Sequence, residues 1–254
     1  MNYIYETHLH TSEASLCGNL PGAEYIDFMK SRGYSGIIVT DHFFNGNTCI
    51  SHELSWKERI EAFYQGYENA RKAAEGTDFS VFFGLEVNYD RDEYLLYGLD
   101  KQWLLDRPDL LSYSRKELYD AVKESGGLMI QAHPFRERFY ITEIHLSPDM
   151  CDGIEVYNAG NVSWQNALAH DYAKEHNLPV IAGSDVHFKS EDAMGGVSVS
   201  YPLHSIQDFV QAFHRGDFTA VSVREDNSIV PVDTLEEECN TVQKSNLPII
   251  FHKE

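Results

Sequence analysis

Short apolar runs that end in polar residues recur along the chain. Residues 3–5 lead into Glu6-Thr7-His8, residues 36–39 into Thr40-Asp41-His42, and residues 79–85 into Glu86. Further on, residues 127–130 lead into Gln131-Ala132-His133, residues 153–156 into Tyr157-Asn158, and residues 179–182 into Gly183-Ser184-Asp185-Val186-His187. These runs are rich in Val, Ile, Leu or aromatics and are bounded by Gly or Pro, which predicts buried strands. Helical spacing fills the gaps. Residues 23–32 carry Tyr25, Ile26, Phe28 and Met29, and residues 55–75 carry Ile60, Phe63, Tyr64, Tyr67 and Ala70. Residues 114–125 open on a Ser114–Glu117 capping box and stop before Gly126-Gly127. Residues 161–177 stop at Leu178-Pro179, and residues 205–215 stop at Gly216, a natural left-handed cap. Strand–helix alternation of this kind predicts an α/β fold, a parallel sheet with helices around it. In such folds ligand chemistry sits at the C-terminal strand ends, where the polar residues gather here.

Composition narrows the reading. The 254 residues fit one domain over 1–254, since α/β barrels routinely reach about 200–250 residues as one unit. The stretch 226–254, with Glu236-Glu237-Glu238, reads as an acidic extension packed on that domain. A hydrophobic content of 43% excludes a mainly disordered chain. The 40 acidic residues outnumber 20 basic ones, for a net charge of −20. That argues against duplex nucleic acid or an anionic membrane as partner, because both need a basic footprint. A small anionic substrate stays open if cations stand between it and the protein. The N-terminus lacks a basic leader, and no run is long and apolar enough to span a bilayer. Cys17, Cys49, Cys151 and Cys239 are scattered without a CxxC pair, which reads as free thiols in a reducing cytoplasm. Cys17 stands apart because it lies close to a histidine cluster.

The histidines change the picture most. His8 and His10 flank Leu9, so on a strand both imidazoles share one face. Alone, such a pair serves a hydrogen bond as well as a metal. In company it says more, because His42, Glu86, His133, Asp185 and His187 all fall at predicted strand ends, where a barrel would converge them. Imidazole with carboxylate suits Zn, Fe or Mn. More than four such donors point to a multinuclear site bridged by a carboxylate, with Glu86 and Asp185 as candidates. His52, His145, His170, His176, His204, His214 and His252 read as surface residues, and Trp56, Trp103 and Trp164 as packing.

With these residues in view the chain resembles the PHP family, the polymerase and histidinol phosphatase superfamily. Glu6-Thr7-His8-Leu9-His10-Thr11, Ile38-Val39-Thr40-Asp41-His42 and Gly84-Leu85-Glu86-Val87 look like its first motifs. Gln131-Ala132-His133-Pro134-Phe135-Arg136, Gly153-Ile154-Glu155-Val156-Tyr157-Asn158 and Gly183-Ser184-Asp185-Val186-His187 follow in order. The resemblance implies a distorted (β/α)7 TIM-like barrel and phosphoester hydrolysis with two or three divalent metals, Zn, Fe or Mn. It implies that His8, His10, Glu86 and Asp185 hold one metal, Glu86 and His133 a second, and His42 and His187 a third. Many members carry an Asp or His just past the first motif. Here that stretch reads Thr11-Ser12-Glu13-Ala14-Ser15-Leu16-Cys17, so Glu13 is the expected replacement ligand and Cys17 a weaker one. Many also carry a His where Tyr94 falls, which makes two metals as plausible as three. Asp185 or His187 would take or return a proton, and Arg136 reads equally as a phosphate fork or a salt bridge. Glu155 reads better as support for a ligand His than as a ligand. The expected function is a cytoplasmic phosphatase or phosphodiesterase acting on a small phosphorylated substrate. An amidohydrolase-like hydrolase and a non-catalytic metal-stabilised module are the alternatives.

Overall fold

The computed structural model describes residues 2–89, 91–190, 192–234 and 245–253. Strands β1 (Tyr3–Glu6), β2 (Gly36–Val39) and β3 (Ser80–Tyr89) run parallel, linked by helices α1 (Tyr25–Ser31), α2 (Trp56–Phe63) and α3 (Gln65–Ala73). All four residues of β2 are buried, as expected for a strand covered on both faces. The predicted helix over residues 55–75 bends at Tyr64, where α2 gives way to α3. Ser55 and Glu58 form a capping box that starts it.

Strand β3 continues beyond β2 and pairs antiparallel with β4 (Asp92–Tyr97), which pairs antiparallel with β5 (Leu128–Ala132). Helices α4 (Lys101–Leu105) and α5 (Arg115–Glu124) lie between β4 and β5, and α5 opens on the predicted Ser114–Glu117 box. After β6 (Ile144–Leu146) come β7 (Gly153–Asn158), α6 (Ser163–His176) and β8 (Val180–Gly183), so β5, β7 and β8 form a second parallel set. Strand β9 (Met194–Val199) returns antiparallel to β1. Helix α7 (Ile206–Arg215) and strands β10 (Thr219–Val223) and β11 (Ile229–Pro231) complete that edge. Gly216 closes α7 with φ 67°, and Asn177 closes α6 with φ 54°.

The described residues thus form a curled ten-stranded sheet, a half-barrel in the order β11-β10-β9-β1-β2-β3-β4-β5-β7-β8. It is α/β, as the alternation predicts, but mixed rather than uniformly parallel. Strands β4, β9 and β10 run against their neighbours, so the structure reaches a curled sheet without the regular (β/α)7 repeat. The β8 end of the curl comes back to the segment beyond β1, where Val186 donates to the carbonyl of His8 (3.2 Å) and His10 donates to that of Val186 (3.0 Å). Of the C-terminal extension, β12 (Ile249–Phe251) pairs parallel with β6, and His252 Nε2 lies 2.9 Å from His145 Nδ1. Glu236, Glu237, Glu238 and Cys239 lie outside the described residues.

Candidate metal centre

Register explains why the polar residues meet. Strands β2 and β3 pair Val39 with Phe83, so the next three residues along each carry His42 to a bridge with Glu86. Leu9 is fully buried in the core, and alternation turns His8 and His10 to the opposite side. His133 follows the last residue of β5 with φ 29°, and Asp185 follows β8 with φ 54°. Left-handed backbone at a non-glycine residue costs about 1–3 kcal/mol and persists where surrounding structure enforces it.

Glu86 sits at the middle of the nest. Its Oε1 lies 3.2 Å from His8 Nε2 and 3.2 Å from His133 Nε2. Its Oε2 lies 2.7 Å from His42 Nδ1 and 3.5 Å from His10 Nε2. Asp185 Oδ1 is 3.0 Å from His10 Nε2 and 3.5 Å from His8 Nε2. Donor atoms converge in four overlapping groups: His8, His10 and Asp185; His8, Glu86 and His133; His42, Glu86 and Glu93; and His10, His42 and His187. The sharing of Glu86 between two of them is the arrangement a bridging carboxylate needs. His42 Nδ1 and Glu86 Oε2 are buried without a hydrogen bond, although they approach closely. A native protein rarely leaves such atoms unsatisfied, and a cation would satisfy both. The N and O donor set therefore fits divalent Zn, Fe or Mn.

The supporting residues are equally ordered. Glu155 Oε1 lies 2.9 Å from His8 Nδ1, while its Oε2 accepts from the backbone of His133 and from Asn158. A carboxylate on the far nitrogen of a ligand imidazole fixes its tautomer and ring plane. Asp41 accepts from the Thr11 backbone, the Thr11 hydroxyl and the Ser15 hydroxyl, which fixes the loop after β1. Glu6 accepts from the backbones of His8 and Ser184 and from the Ser184 hydroxyl, tying the ends of β1 and β8 together.

Electrostatics follow from burial and from like and unlike neighbours. Burial pushes Glu6 and Asp41 each up to about 7. Burial would also raise Glu86 and Asp185. It is outweighed by His42 and His8 around Glu86 and by Arg136 and His8 around Asp185, so both are held below the usual carboxylate range. Burial lowers His10 to about 3, so it is neutral and able to donate a lone pair. Burial alone would raise the Cys17 thiol, but hydrogen bonds to His187 and His42 prevail and bring it to about 6.

Three expectations meet a different placement. Glu13 is not brought to the nest, because its carboxylate accepts from the Gly22 backbone (3.0 Å) and from Asn69 (2.9 Å). Arg136 presents no open fork. It meets Asp185 Oδ2 at 2.5 Å and donates to Asn161 and Asn158. Tyr94 points away from the nest and donates to Asp92 (2.6 Å), while its neighbour Glu93 enters. Register pairs Leu95 with Glu86, so Glu93, two residues earlier, shares the Glu86 face. Its oxygens lie 3.5 Å from His133 Nε2 and 3.8 Å from His42 Nδ1. Period-two alternation in Glu93-Tyr94-Leu95 carries that signal once the hairpin is known.

A cavity of about 770 Å³ opens over the nest. Its floor includes His42, Glu93, Asp185 and His187, and its rim includes Arg138, Tyr140 and Phe188. The curled α/β sheet carries a buried multi-imidazole, multi-carboxylate nest at its strand ends, a donor set suited to divalent metal ions. The chain belongs to the PHP domain family, whose model matches residues 6–215. No curated protein matched the chain. Among solved structures it is similar to a two-domain protein from Bacteroides vulgatus containing a predicted PHP-like metal-dependent phosphoesterase. That match has 18% identity and a TM-score of 0.62, and it covers 87% of this chain and 64% of that one. The chain thus spans just under two thirds of that protein. It is also similar to a Chromobacterium violaceum amidohydrolase with bound sulfate and no metal, at 15% identity and a TM-score of 0.51, over 87% and 98% of the two chains. A lesion-specific endonuclease from Pyrococcus furiosus matches at 11% identity and a TM-score of 0.54, over 99% and 75%. Among the described residues, no helix is long and apolar enough to cross a membrane.

Proposed function

We propose that this chain hydrolyses small phosphoesters, as a phosphatase or phosphodiesterase, at a centre of two or three divalent metals. One observation carries the reading: Glu86 stands within 3.5 Å of four imidazoles from three segments, His8 and His10 after β1, His42 after β2 and His133 after β5. His8, His10 and Asp185 would hold one ion, and His8, Glu86 and His133 an adjacent one, with Glu93 and His42 extending the set. Bound divalent ions supply Lewis acidity toward phosphoryl oxygens and lower the pKa of water toward about 7. The protein's own groups do the rest. Glu155 orients His8, and Arg136 holds Asp185 in place. Proton handling falls to the pair at the mouth, where Asp185 Oδ1 lies 3.7 Å from His187 Nε2 and the Asp185 carbonyl fixes His187 Nδ1 at 2.6 Å.

The acidic surface favours a small substrate over duplex nucleic acid or a membrane, since a long polyanion meets repulsion everywhere except at the cations. The amidohydrolase alternative would use a carbamylated lysine between its metals, and no lysine lines the cavity among the described residues. The test is metal content followed by hydrolysis of p-nitrophenyl phosphate and its bis ester with Mn or Zn. Turnover is expected, and His8→Ala should lose both bound metal and rate. A fully metallated sample that turns over no phosphoester would sink the reading.

A further inference from the structure

We propose that the C-terminal segment 245–253 is a strap that positions one wall of the cavity. Docked on β6, it holds the loop 137–143 so that Arg138 and Tyr140 stand over the nest, and its release weakens substrate binding. The effect on substrate rests on the phosphoester reading, whereas the hold on the loop does not.

The loop needs such a hold. It joins the end of β5 to β6 without helix or strand of its own, and it brings Arg138 and Tyr140 into the cavity lining. Phe139 is 99% exposed and Tyr140 57%, so packing does little to fix its tip. Its near end is fixed by Arg136 on Asp185, Asn158 and Asn161, and by Arg138 donating to the Gly160 carbonyl (2.9 Å). Arg91 donates to the Thr142 hydroxyl (2.5 Å), and Gln131 of β5 donates to the His145 carbonyl (2.8 Å). Its far end runs into β6, a three-residue strand that stands outside the ten-stranded sheet and pairs with β12. A two-stranded ribbon is marginally stable in water, so β6 and the loop before it depend on what the second strand brings.

The segment grips the loop and β6 along their length. At the loop itself, the Ser245 hydroxyl donates to Glu137 Oε1 (2.6 Å) and accepts from the Leu247 backbone (3.1 Å). At the junction, Ile144 donates to the Pro248 carbonyl (2.8 Å), and β12 runs in register from Ile249 on Ile144 to Phe251 on Leu146. Beyond it, His252 donates to the Leu146 carbonyl (2.8 Å), and its ring stacks on His145 at a centroid distance of 5.0 Å. Leu247 anchors the segment against the main core. The strand keeps its own side chains largely in solvent, with Ile249 44% exposed, Ile250 38% and Phe251 49%. A strand that buries so little apolar surface adds little to the stability of the main sheet. What it fixes is the backbone of β6 and, through Glu137, the cavity wall. The strap also lies beyond residues 6–215, the part that the family model matches. Elements held by few buried contacts open at free energies below that of global unfolding, so this one can let go while the sheet stays folded. Ser245 and His252 are thus positioning residues, acting on substrate through the loop.

The test compares the full chain with its double variant Ser245→Ala, His252→Pro, which removes one tether at each end of the segment. Hydrogen exchange read by mass spectrometry should quicken across 137–146 in the variant and stay unchanged in β2. Loaded with Mn or Zn, the variant should hold the same metal equivalents as the full chain. It should hydrolyse p-nitrophenyl phosphate with KM raised about tenfold and kcat nearly kept, the pattern of lost binding common to ground and transition states. Ser245→Thr, which keeps the hydroxyl, should match the unaltered chain. Unchanged exchange across 137–146 would overturn the proposal, and so would faster exchange in β2 as well, which would make the segment a brace of the whole fold. An unchanged KM in a variant whose loop exchanges faster would overturn the link to substrate. A metallated full chain that turns over no phosphoester would sink the phosphoester reading, and the exchange result alone would then decide whether the strap holds the loop.

Discussion

The Arg136 guanidinium, three residues past His133, is surrounded by protein acceptors. One terminal nitrogen meets Asp185, the other donates to Asn158, and Nε donates to Asn161. Burial opposes its charge, but Asp185, Glu93 and Glu155 together outweigh burial and keep it protonated. In turn Arg136 leads the set of neighbours that hold Asp185 ionised, which a metal ligand requires. Removing one partner of a buried pair leaves the other charge uncompensated. Arg136→Met should therefore destabilise the metal-free protein by about 3 kcal/mol in urea unfolding. A phosphate fork would behave differently, with KM rising while the unfolding midpoint stays put. Glu13 is likewise held by protein groups away from the nest. A carboxylate nine residues before Gly22 reached a turn backbone and Asn69 of α3 before it could reach the nest.

The helices follow their local code. Ser55, Ser114 and Ser205 each begin a helix with a reciprocal carboxylate three residues on, and Gly216 and Asn177 end two of them in left-handed backbone. Strand β9 does not follow a local code. Met194-Gly195-Gly196 has weak intrinsic strand preference, and Gly in a strand interior usually marks a close backbone approach. Gly195 packs directly on the Gly183 backbone, at the seam between β9 and the end of β8 that carries Asp185. A methyl group has no room there. Gly195→Ala should cost about 2 kcal/mol or more and push the Asp185 segment outward. Thermal unfolding together with metal affinity would register both effects. Unchanged values for each would show that the seam is looser than the packing indicates.

Across the whole molecule, buried carboxylates link stability to pH. Glu6 is buried under the nest, and burial raises it from 4.5 to about 7. The folded state then binds its proton more tightly than the unfolded chain does. Stability is therefore fullest below about 4.5 and falls as pH rises to about 7, by about 1.4 kcal/mol per pH unit at most for this one group. In metal-free protein, Glu6→Gln should flatten that part of the stability profile measured by urea titration. An identical slope in both proteins would assign the pH dependence to other groups. The surface works in the other direction from the site. The chain as a whole carries a net charge of −20, while the nest concentrates imidazoles and carboxylates where cations can cancel them.

Much of this was written locally. Apolar runs ending in His8, His42, Glu86, His133 and Asp185 placed these donors at strand ends, because alternation and strand length are properties of a short segment. The fully buried β2 and the three serine-capped helices were legible on the same grounds. Pairing direction was not legible, because it depends on which distant strand offers a free edge. The antiparallel β3–β4 hairpin brought Glu93 onto the Glu86 face and turned Tyr94 away from it. Loop closure over long separations set Arg136 on Asp185, and Cys17 beside His42 and His187. By itself the sequence pointed to His8, His10, His42, Glu86, His133, Asp185 and His187 as donors, but not to Glu93. The tertiary structure decided which donors meet, since only long-range packing sets the distance between segments far apart in the chain.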